Sequence, residues 1–382
     1  MTAVAGRRLA IVSLHAHREL APRGERTRRL AESLGREWDV EIVAPPPDLP
    51  TGGATGQGRS SRARRLAASV VGRTLIDKWE PWSVKRLARW RPDVDAALLI
   101  GHPFSPVVYA ARRLAAANVP YVVDSGDPWV LTAPRVGNKG IGLVRARAAE
   151  RFVWGHAAGG VLTTPKQAGD LEALFPGLPM LVRPNGYEAT AADSLQQRPR
   201  TSPEEELRLV HFGMLSHSRL DLVPLLQTLC DSGRWRRISL TQFGDDFAGV
   251  LDAAPPAIQV ERRSACPWSD VVQLAPDYDL ALAVGNVDPS QLPSKAIQYL
   301  TLPIPRLAIT NGLPGDSLAG YVRDKPGWLT LSQDDPRTAE RIADHLGQGW
   351  TAAALAAPPA EGWPGVATTV ADFVDRCVAG DV

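Results

Sequence analysis

The feature that most constrains the fold of this chain is a regular alternation of short apolar runs with amphipathic stretches. The apolar runs are rich in valine, leucine and alanine and are bounded by turn residues, which is typical of buried parallel strands. Predicted strands cover Arg8–Leu14, Val40–Val43, Ala96–Ile100, Tyr121–Val123, Gly160–Leu162, Met180–Val182, Leu207–Phe212, Ile238–Phe243, Ile258–Val260, Asp279–Val284, Arg306–Ile309 and Trp328–Leu331. Predicted helices cover Glu25–Leu34, Val107–Ala116, Leu143–Trp154, Lys166–Leu174, Leu222–Cys230, Ser269–Leu274, Ser294–Leu300, Pro336–Leu346 and Val366–Val378. This alternation favours an α/β protein whose parallel sheets carry helices on both faces.

A chain of 382 residues is too long for one ordinary core, so we expect two domains. Asn185-Gly186 follows a predicted strand and precedes the polar stretch Glu188–Glu206, which we interpret as a linker. The predicted first domain spans residues 1–187, and the predicted second domain spans residues 188–364. The last helix, within residues 365–382, is expected to pack back on the first domain.

Charge and cysteine content narrow the class of protein. The formal net charge is +2, which carries no general polyanion signature, and we expect no nucleic-acid partner. Cys230, Cys266 and Cys377 are far apart and odd in number, so we expect neither a disulfide framework nor a metal site. The first apolar run, Leu9–Leu14, is too short for a signal peptide, and no run approaches the ~20 residues of a membrane span. We therefore expect a cytoplasmic protein.

Residues 59–91 form a basic segment with ten lysines and arginines and the interleaved Trp79, Trp82 and Trp90. Basic amphipathic helices with tryptophans suit an anionic membrane surface, here the inner face of the membrane. A helical hairpin on the first domain, with its apolar face packed inward and its arginines solvated, fits the same pattern. Both interpretations stay open at this point.

The stretch Asp288–Arg306 has the pattern of a phosphate site. It follows the apolar run Tyr278–Val284 and contains Ser294, which can cap a helix that starts at Lys295. A strand, a loop and a helix N-terminus in this order offer free backbone N–H groups and a positive dipole end, to which Lys295 adds a full charge. The alternative is an ordinary strand–helix unit whose lysine is solvated.

Three other segments carry residues suited to ligand binding. Gly213 follows the strand Leu207–Phe212 and would let the backbone approach a ligand closely. The loops Gly101–Ser105 and Asp124–Trp129 lie at carboxyl ends of predicted parallel strands, where ligands bind in such sheets. Asn185 closes the first domain.

Together these motifs resemble the retaining, nucleotide-sugar-dependent glycosyltransferases of the GT-B fold, in the family 4 group common in bacterial surface-polysaccharide and glycolipid pathways. The resemblance is carried in order by Asp127-Pro128-Trp129, Glu150 ahead of His156-Ala157, Asn185-Gly186, Gly213, Pro293-Ser294-Lys295 and Trp363. It implies two doubly wound Rossmann-like domains that face a central cleft. The first domain would bind the acceptor and the second the nucleotide sugar.

The resemblance also implies a reaction. A hexosyltransferase of this kind moves a sugar from a nucleotide-diphosphate donor to a hydroxyl of a saccharide, a lipid-linked saccharide or a natural product, without a cofactor or a metal. Lys295 and an arginine, with Arg219 the nearest, would neutralise the leaving diphosphate, and His102 would orient the acceptor. The implied donor-side residues are Gly213, Gly244, Ser290, Ser294 and Gln298, and the implied acceptor-side residues are Ser105, Asp127 and Asn185. Base contacts are expected from Phe243–Asp245 and Arg262–Cys266.

The sequence departs from the family pattern at the predicted donor site. Two glutamates that the family often has eight positions apart are replaced by Ser290 and Gln298, and the usual arginine after the strand glycine is replaced by Met214-Leu215. The Gln298 amide can still bond a ribose hydroxyl, whereas Ser290 cannot replace a carboxylate. Two alternatives follow: a non-catalytic GT-B protein that binds or assembles with others in a glycan pathway, and a nucleotide-sugar epimerase of similar architecture. A nicotinamide dehydrogenase is not indicated, because no Gly-x-Gly-x-x-Gly follows a predicted strand.

Overall fold

The computed structural model describes residues 6–17, 22–46, 85–101, 104–132, 141–188, 205–247, 249–351 and 353–381. The chain divides into two compact units. The first comprises Met1–Asn185 with Trp363–Val382, and the second comprises Gly186–Gly362. Each unit contains one six-stranded parallel sheet with flanking helices, which confirms the predicted fold class.

In the first unit the strands are β1 (Arg8–Val12), β2 (Asp39–Val43), β3 (Ala96–Ile100), β4 (Tyr121–Ser125), β5 (Gly159–Leu162) and β6 (Met180–Val182). Their order in the sheet is β2-β1-β3-β4-β5-β6. The helices are α1 (Pro22–Leu34), α2 (Phe104–Ala116), α3 (Ile141–Gly155), α4 (Pro165–Glu172) and, at the end of the chain, α10 (Trp363–Ala379).

Both faces of this first sheet are covered. Because side chains alternate along a strand, Leu9 and Ile11 of β1 enter one core while Ala10 and Val12 enter the other. The core that holds Leu9 and Ile11 also holds buried residues of the C-terminal helix α10, including Phe373. The last helix is therefore part of the first unit.

In the second unit the strands are β7 (Glu206–Phe212), β8 (Arg237–Phe243), β9 (Ile258–Arg263), β10 (Leu280–Val284), β11 (Arg306–Thr310) and β12 (Trp328–Ser332). The helices are α5 (Val223–Asp231), α6 (Trp268–Leu274), α7 (Ser294–Gln298), α8 (Ser317–Val322) and α9 (Thr338–Gly347). The sheet order is β12-β11-β10-β7-β8-β9, so the chain reverses its direction of travel across the sheet between β7 and β10. Ligands of doubly wound sheets bind at such a switch point, at the carboxyl ends of the strands.

Two local features of the second unit differ from the sequence prediction. Ser294 is the first residue of α7 rather than its cap, because Pro293 occupies the N-cap position without a side-chain hydrogen bond. Helix α7 ends at Gln298 and continues as a 3-10 turn, so five residues supply only a small helix dipole. The six-residue helix α8 was not predicted, and it is capped by Asp316, whose carboxylate accepts from Ala319 N at 2.9 Å.

Most of the basic segment, residues 59–84, lies outside the described residues, so its membrane interpretation stays a prediction. Its described end contains a 3-10 turn, Leu87–Arg89, in which Leu87 is buried in the core of the first unit. Among the described helices, none combines the length and the apolar character needed to cross a membrane.

Candidate active site

The switch point of the second sheet is an opening between β7 and β10. The ladder between these strands runs only as far as the pair Val210 and Ala281. Beyond it, the backbone of Phe212 pairs with a side chain instead of a strand: its N–H donates to the Tyr299 hydroxyl at 2.7 Å, and that hydroxyl donates to Phe212 O at 3.2 Å. The two strands therefore separate at their carboxyl ends, where a ligand of this fold is expected.

Two glycines at these strand ends have backbone conformations that L side chains rarely adopt. Gly213, directly after β7, has φ +147°, and Gly244, directly after β8, has φ +106°. A Cβ on Gly244 would lie 2.6 Å from the carbonyl oxygen of Gly213, so the two loops could not approach as they do with any larger residue. A Cβ on Gly213 would lie 3.4 Å from Cγ of Lys295. The predicted donor residues Gly213, Gly244 and Lys295 are thus brought together.

Lys295 presents a half-buried ammonium group beside Gly213. Its Nζ donates to Gln298 Oε1 at 2.8 Å and lies 5.1 Å from the ring centroid of Trp268, a cation–π contact. Burial lowers the pKa of this ammonium group below its ordinary value. No carboxylate among the described residues forms an ion pair with it. A bound anion would supply the missing negative charge.

Arg219 is the second cation at the switch point. Its loop folds back on the end of β10, where Leu220 N donates to Gly285 O at 3.0 Å. The guanidinium donates from Nη1 to Asn286 Oδ1 at 2.7 Å, and burial lowers its pKa. Within the described part of the chain it has no carboxylate partner either. Arg219 therefore supplies an arginine at the site although Met214 stands where the family arginine is usual.

His211 and Gln242 also belong to this site, and sequence reasoning assigned neither a role. His211 Nδ1 lies 2.6 Å from Gln242 Oε1, and both residues are buried. The pKa of His211 is lowered to about 4, mainly by burial and also by the charges of Arg219 and Lys295. Because Arg219 and Lys295 both act electrostatically on His211, the two cations lie close to this imidazole.

A polar cavity of about 340 Å³ lies next to these glycines, at the carboxyl ends of β8 and β9. Its lining includes Gly244, Asp245, Arg262 and Ser264, which fall in the two loops predicted to contact a base. Arg262 is paired there with Asp252 at 2.6 Å. The cavity offers backbone groups and both signs of charge to a polar ligand.

The remaining predicted donor residues have internal partners. The Ser290 hydroxyl donates to Asp288 Oδ1 at 2.6 Å, and its N–H donates to the same oxygen at 2.9 Å. Gln298 accepts from Lys295, as described above, and so fixes the lysine rather than standing free. Ser294, in the first turn of α7, is partly exposed.

In the first unit, the predicted acceptor-side residues are tied to arginines of α1. Arg26 is buried and donates from Nε to both oxygens of Asp124, at 2.8 and 3.0 Å, and from Nη1 to Asn185 Oδ1 at 3.3 Å. Asp127 is paired with Arg23. Ser105 is buried at the start of α2.

His102, the residue expected to orient the acceptor, lies outside the described residues, so its role stays a prediction. In the part of the chain that the structure describes, no group of three or more His, Cys, Asp or Glu side chains is placed to hold a metal ion. The absence of a metal requirement stays a prediction.

Comparison with known proteins identifies a domain in the first unit and the fold of the whole chain. Residues 24–186 match the family model described as Glycosyl transferase 4-like domain. Over the whole chain, the fold is similar to that of sucrose-phosphate synthase from Thermosynechococcus elongatus, with a TM-score of 0.57 at 11% identity over 98% of this chain and 100% of that one. Residues 24–186 therefore carry a glycosyl transferase 4-like domain, and the whole chain has the GT-B fold.

Other solved structures share this two-domain fold. HepE from Anabaena, in complex with UDP-glucose, has a TM-score of 0.56 at 12% identity over 98% of each chain. The UDP-GlcNAc 2-epimerase from Methanocaldococcus jannaschii has a TM-score of 0.52 at 9% identity over 97% of this chain and 99% of that one. Because transferases and epimerases share the fold, it does not by itself separate the two activities. A comparison with curated proteins gave no significant match.

Proposed function

We propose that this chain is a retaining glycosyltransferase of the hexosyltransferase type. It would transfer a sugar from a nucleotide-diphosphate donor to a hydroxyl of a saccharide, a lipid-linked saccharide or a natural product. The observation that carries the proposal is the pair Arg219 and Lys295, two partly buried cations at the switch point with no carboxylate partner among the described residues. A diphosphate brings the negative charge that these groups lack.

The same two cations suit the chemistry of transfer. In the proposed reaction the bond between the anomeric carbon and the phosphate oxygen breaks, and the acceptor oxygen bonds to that carbon. The acceptor proton passes to the departing diphosphate, so charges and atoms balance without an enzymic nucleophile. Negative charge grows on the diphosphate as its bond breaks. Lys295 and Arg219 would therefore stabilise the transition state more than the bound donor.

The glycines and the cavity support the placement of the rest of the donor. Gly213 leaves the backbone open beside Lys295, where a phosphate oxygen would lie, and Gly244 allows its loop to approach Gly213 closely. The neighbouring cavity has room for part of a nucleoside. HepE binds UDP-glucose and UDP. Uridine nucleotides are therefore the first donors to test.

A second candidate is a non-catalytic protein that binds a nucleotide or nucleotide sugar in a glycan pathway. It is favoured by Ser290 and Gln298, which stand where the family often has glutamates. Neither can act as a carboxylate, and their side chains are engaged with Asp288 and Lys295. This candidate predicts binding without turnover.

The first experiment measures nucleotide binding to the full chain by thermal shift and calorimetry, with UDP, GDP, ADP, dTDP and CDP and no added metal. One nucleotide should raise the melting temperature by mass action. Lys295→Ala and Arg219→Ala should each abolish or strongly weaken the shift. Arg237→Ala, which removes an exposed arginine of the same unit, should leave it unchanged. Failure of every nucleotide to bind would overturn the proposal.

A second experiment separates the two candidates. The chain is incubated with the sugar nucleotide of the base that binds, with and without simple glycoside acceptors, and the product is followed by NMR. Transfer or slow donor hydrolysis with the donor's anomeric configuration supports the retaining enzyme. Binding with neither transfer nor hydrolysis supports the non-catalytic protein.

A further inference from the structure

His211 is a buried imidazole in the candidate donor site that the proposed reaction does not use. It is 5% exposed and lies two residues before Gly213, on the same side of the backbone, because side chains alternate along a strand. A Cβ on Gly213 would lie 3.6 Å from Cε1 and 3.7 Å from Nε2 of the ring. The Nε2 edge of His211 therefore borders the space left open by Gly213, which the stem of Lys295 also borders.

The orientation of this ring is fixed by Gln242. The Gln242 Nε2 atom lies 2.6 Å from Gly213 O, 3.2 Å from Phe243 O and 3.4 Å from Gly244 O. Carbonyl oxygens only accept, so the NH₂ group must face them and the Gln242 oxygen must face His211. That oxygen can only accept in turn, so the proton of the neutral imidazole is on Nδ1 and the lone pair is on Nε2.

The surroundings keep the free imidazole neutral. The charged groups that act on it are Arg219 in the loop after β7, Lys295 on α7 and Asp246 in the loop after β8. Burial and the two cations oppose a further positive charge, whereas the hydrogen bond to Gln242 and the Asp246 carboxylate favour it. Burial and the two cations have the larger effect, since the pKa of His211 is lowered to about 4.

A lone pair on Nε2 would repel a phosphate oxygen placed over Gly213. The ring cannot exchange tautomers to avoid this, because Gln242 requires a proton on Nδ1. We propose that His211 takes up one proton from solvent on Nε2 when the diphosphate of the donor binds, and donates that N–H to a phosphate oxygen. The inference rests on the proposed function of the same site, and it makes His211 a third positive contact to the diphosphate.

The charge of the ligand makes this proton uptake favourable. A nucleoside diphosphate offsets the charges of Arg219 and Lys295, which oppose protonation in the free protein. It also provides an acceptor for the new N–H, and hydrogen bonds between charged groups are the stronger ones. Binding and protonation should therefore strengthen each other, and affinity should rise as the pH falls.

The test counts protons during binding. Calorimetry of the full chain with the nucleoside diphosphate that binds is carried out at pH 6.5 in buffers of different ionisation enthalpy. On binding, the wild type should take up at least about half a proton more than His211→Gln does. Half a proton corresponds to an affinity that rises about threefold for each unit by which the pH falls. The difference between variants cancels the titration of the nucleotide itself. His217→Gln, which changes an exposed histidine in the loop after β7, should match wild type.

The outcomes separate this inference from the proposed function. Binding that is abolished by Lys295→Ala, with equal proton uptake in wild type and His211→Gln, overturns the role of His211 alone. Failure of every nucleoside diphosphate to bind overturns both. Should His211→Gln not fold, ¹⁵N NMR of the histidine-labelled wild type gives the answer. An imidazolium signal for His211 that appears only with nucleotide supports the inference, and an unchanged neutral signal overturns it.

Discussion

The hydroxyl of Tyr299 completes the hydrogen bonding of Phe212 at the end of β7. It accepts from Phe212 N at 2.7 Å and donates to Phe212 O at 3.2 Å, where β10 no longer pairs with β7. Burial raises the pKa of this phenol, so it remains a neutral group that can both donate and accept. One side chain thereby keeps the switch point open without leaving backbone groups unsatisfied, and it holds the residue that precedes Gly213.

Tyr299→Phe should therefore destabilise the second unit. The change leaves a buried backbone N–H and C=O without partners, which costs about 1–3 kcal/mol in the free energy of unfolding. Urea denaturation of the full chain measures this cost. Tyr109→Phe is the control, since the Tyr109 hydroxyl of the first unit has no hydrogen bond among the described residues, and its effect should be near zero. Equal stability of the two variants would contradict the role given to Tyr299.

Gly213→Ala should reduce both stability and nucleotide affinity. A φ of +147° strains an alanine, at a cost of about 1–3 kcal/mol, and the methyl group would lie 3.4 Å from Lys295 in the space assigned to the phosphate. A loss of affinity of tenfold or more, about 1.4 kcal/mol, is expected by calorimetry. Gly315→Ala is the matched control, because Gly315 has φ +77° and an added Cβ there would meet nothing within 4 Å. It should cost stability and leave affinity intact.

The sequence predicted the sheets well for a physical reason. Parallel strands buried on both faces give continuous apolar runs, and strands such as Ala96–Ile100 are wholly buried. Short elements lack this signal: Ser317–Val322 makes little more than one turn, and Gly320 within it weakens its helical pattern. The predicted cap at Ser294 was wrong because Pro293, with its fixed φ, takes the N-cap position first.

The candidate site could be predicted only where one residue carries its own signal. Gly213 and Lys295 have such signals, since a glycine after a strand and a lysine in a first helical turn suggest an anion site. The hydrogen bond between His211 and Gln242 leaves no such signal in the sequence. These residues are neighbours in the register of β7 and β8, and single-sequence patterns do not give register. The position of Arg219 likewise depends on a loop that folds back on β10.

Removal of the Arg26 guanidinium should destabilise the first unit strongly. Arg26 and Asp124 are almost fully buried and share two hydrogen bonds, so Arg26→Ala would leave an uncompensated buried carboxylate. A loss of about 3–5 kcal/mol in the free energy of unfolding is expected from denaturant titration. Arg28→Ala, on the same helix, breaks only exposed pairs with Glu25 and Glu32 and should cost no more than about 1 kcal/mol. Similar losses for the two variants would contradict the importance of the buried pair.

The stability of the nucleotide-free protein should fall in mild acid because of His211. Its pKa is about 4 in the folded state, against an ordinary value of 6.5, so between these values only the unfolded chain binds the proton. The free energy of unfolding should therefore decrease as the pH falls from about 6.5 towards 4, by about 2 kcal/mol between pH 7 and pH 5 from this residue. Burial also lowers the pKa of His345, which adds a loss of the same sign. His211→Gln should remove most of the decrease in urea titrations at the two pH values, and His217→Gln should remove none of it. An unchanged pH dependence in His211→Gln would show that the imidazole is not held neutral by its surroundings.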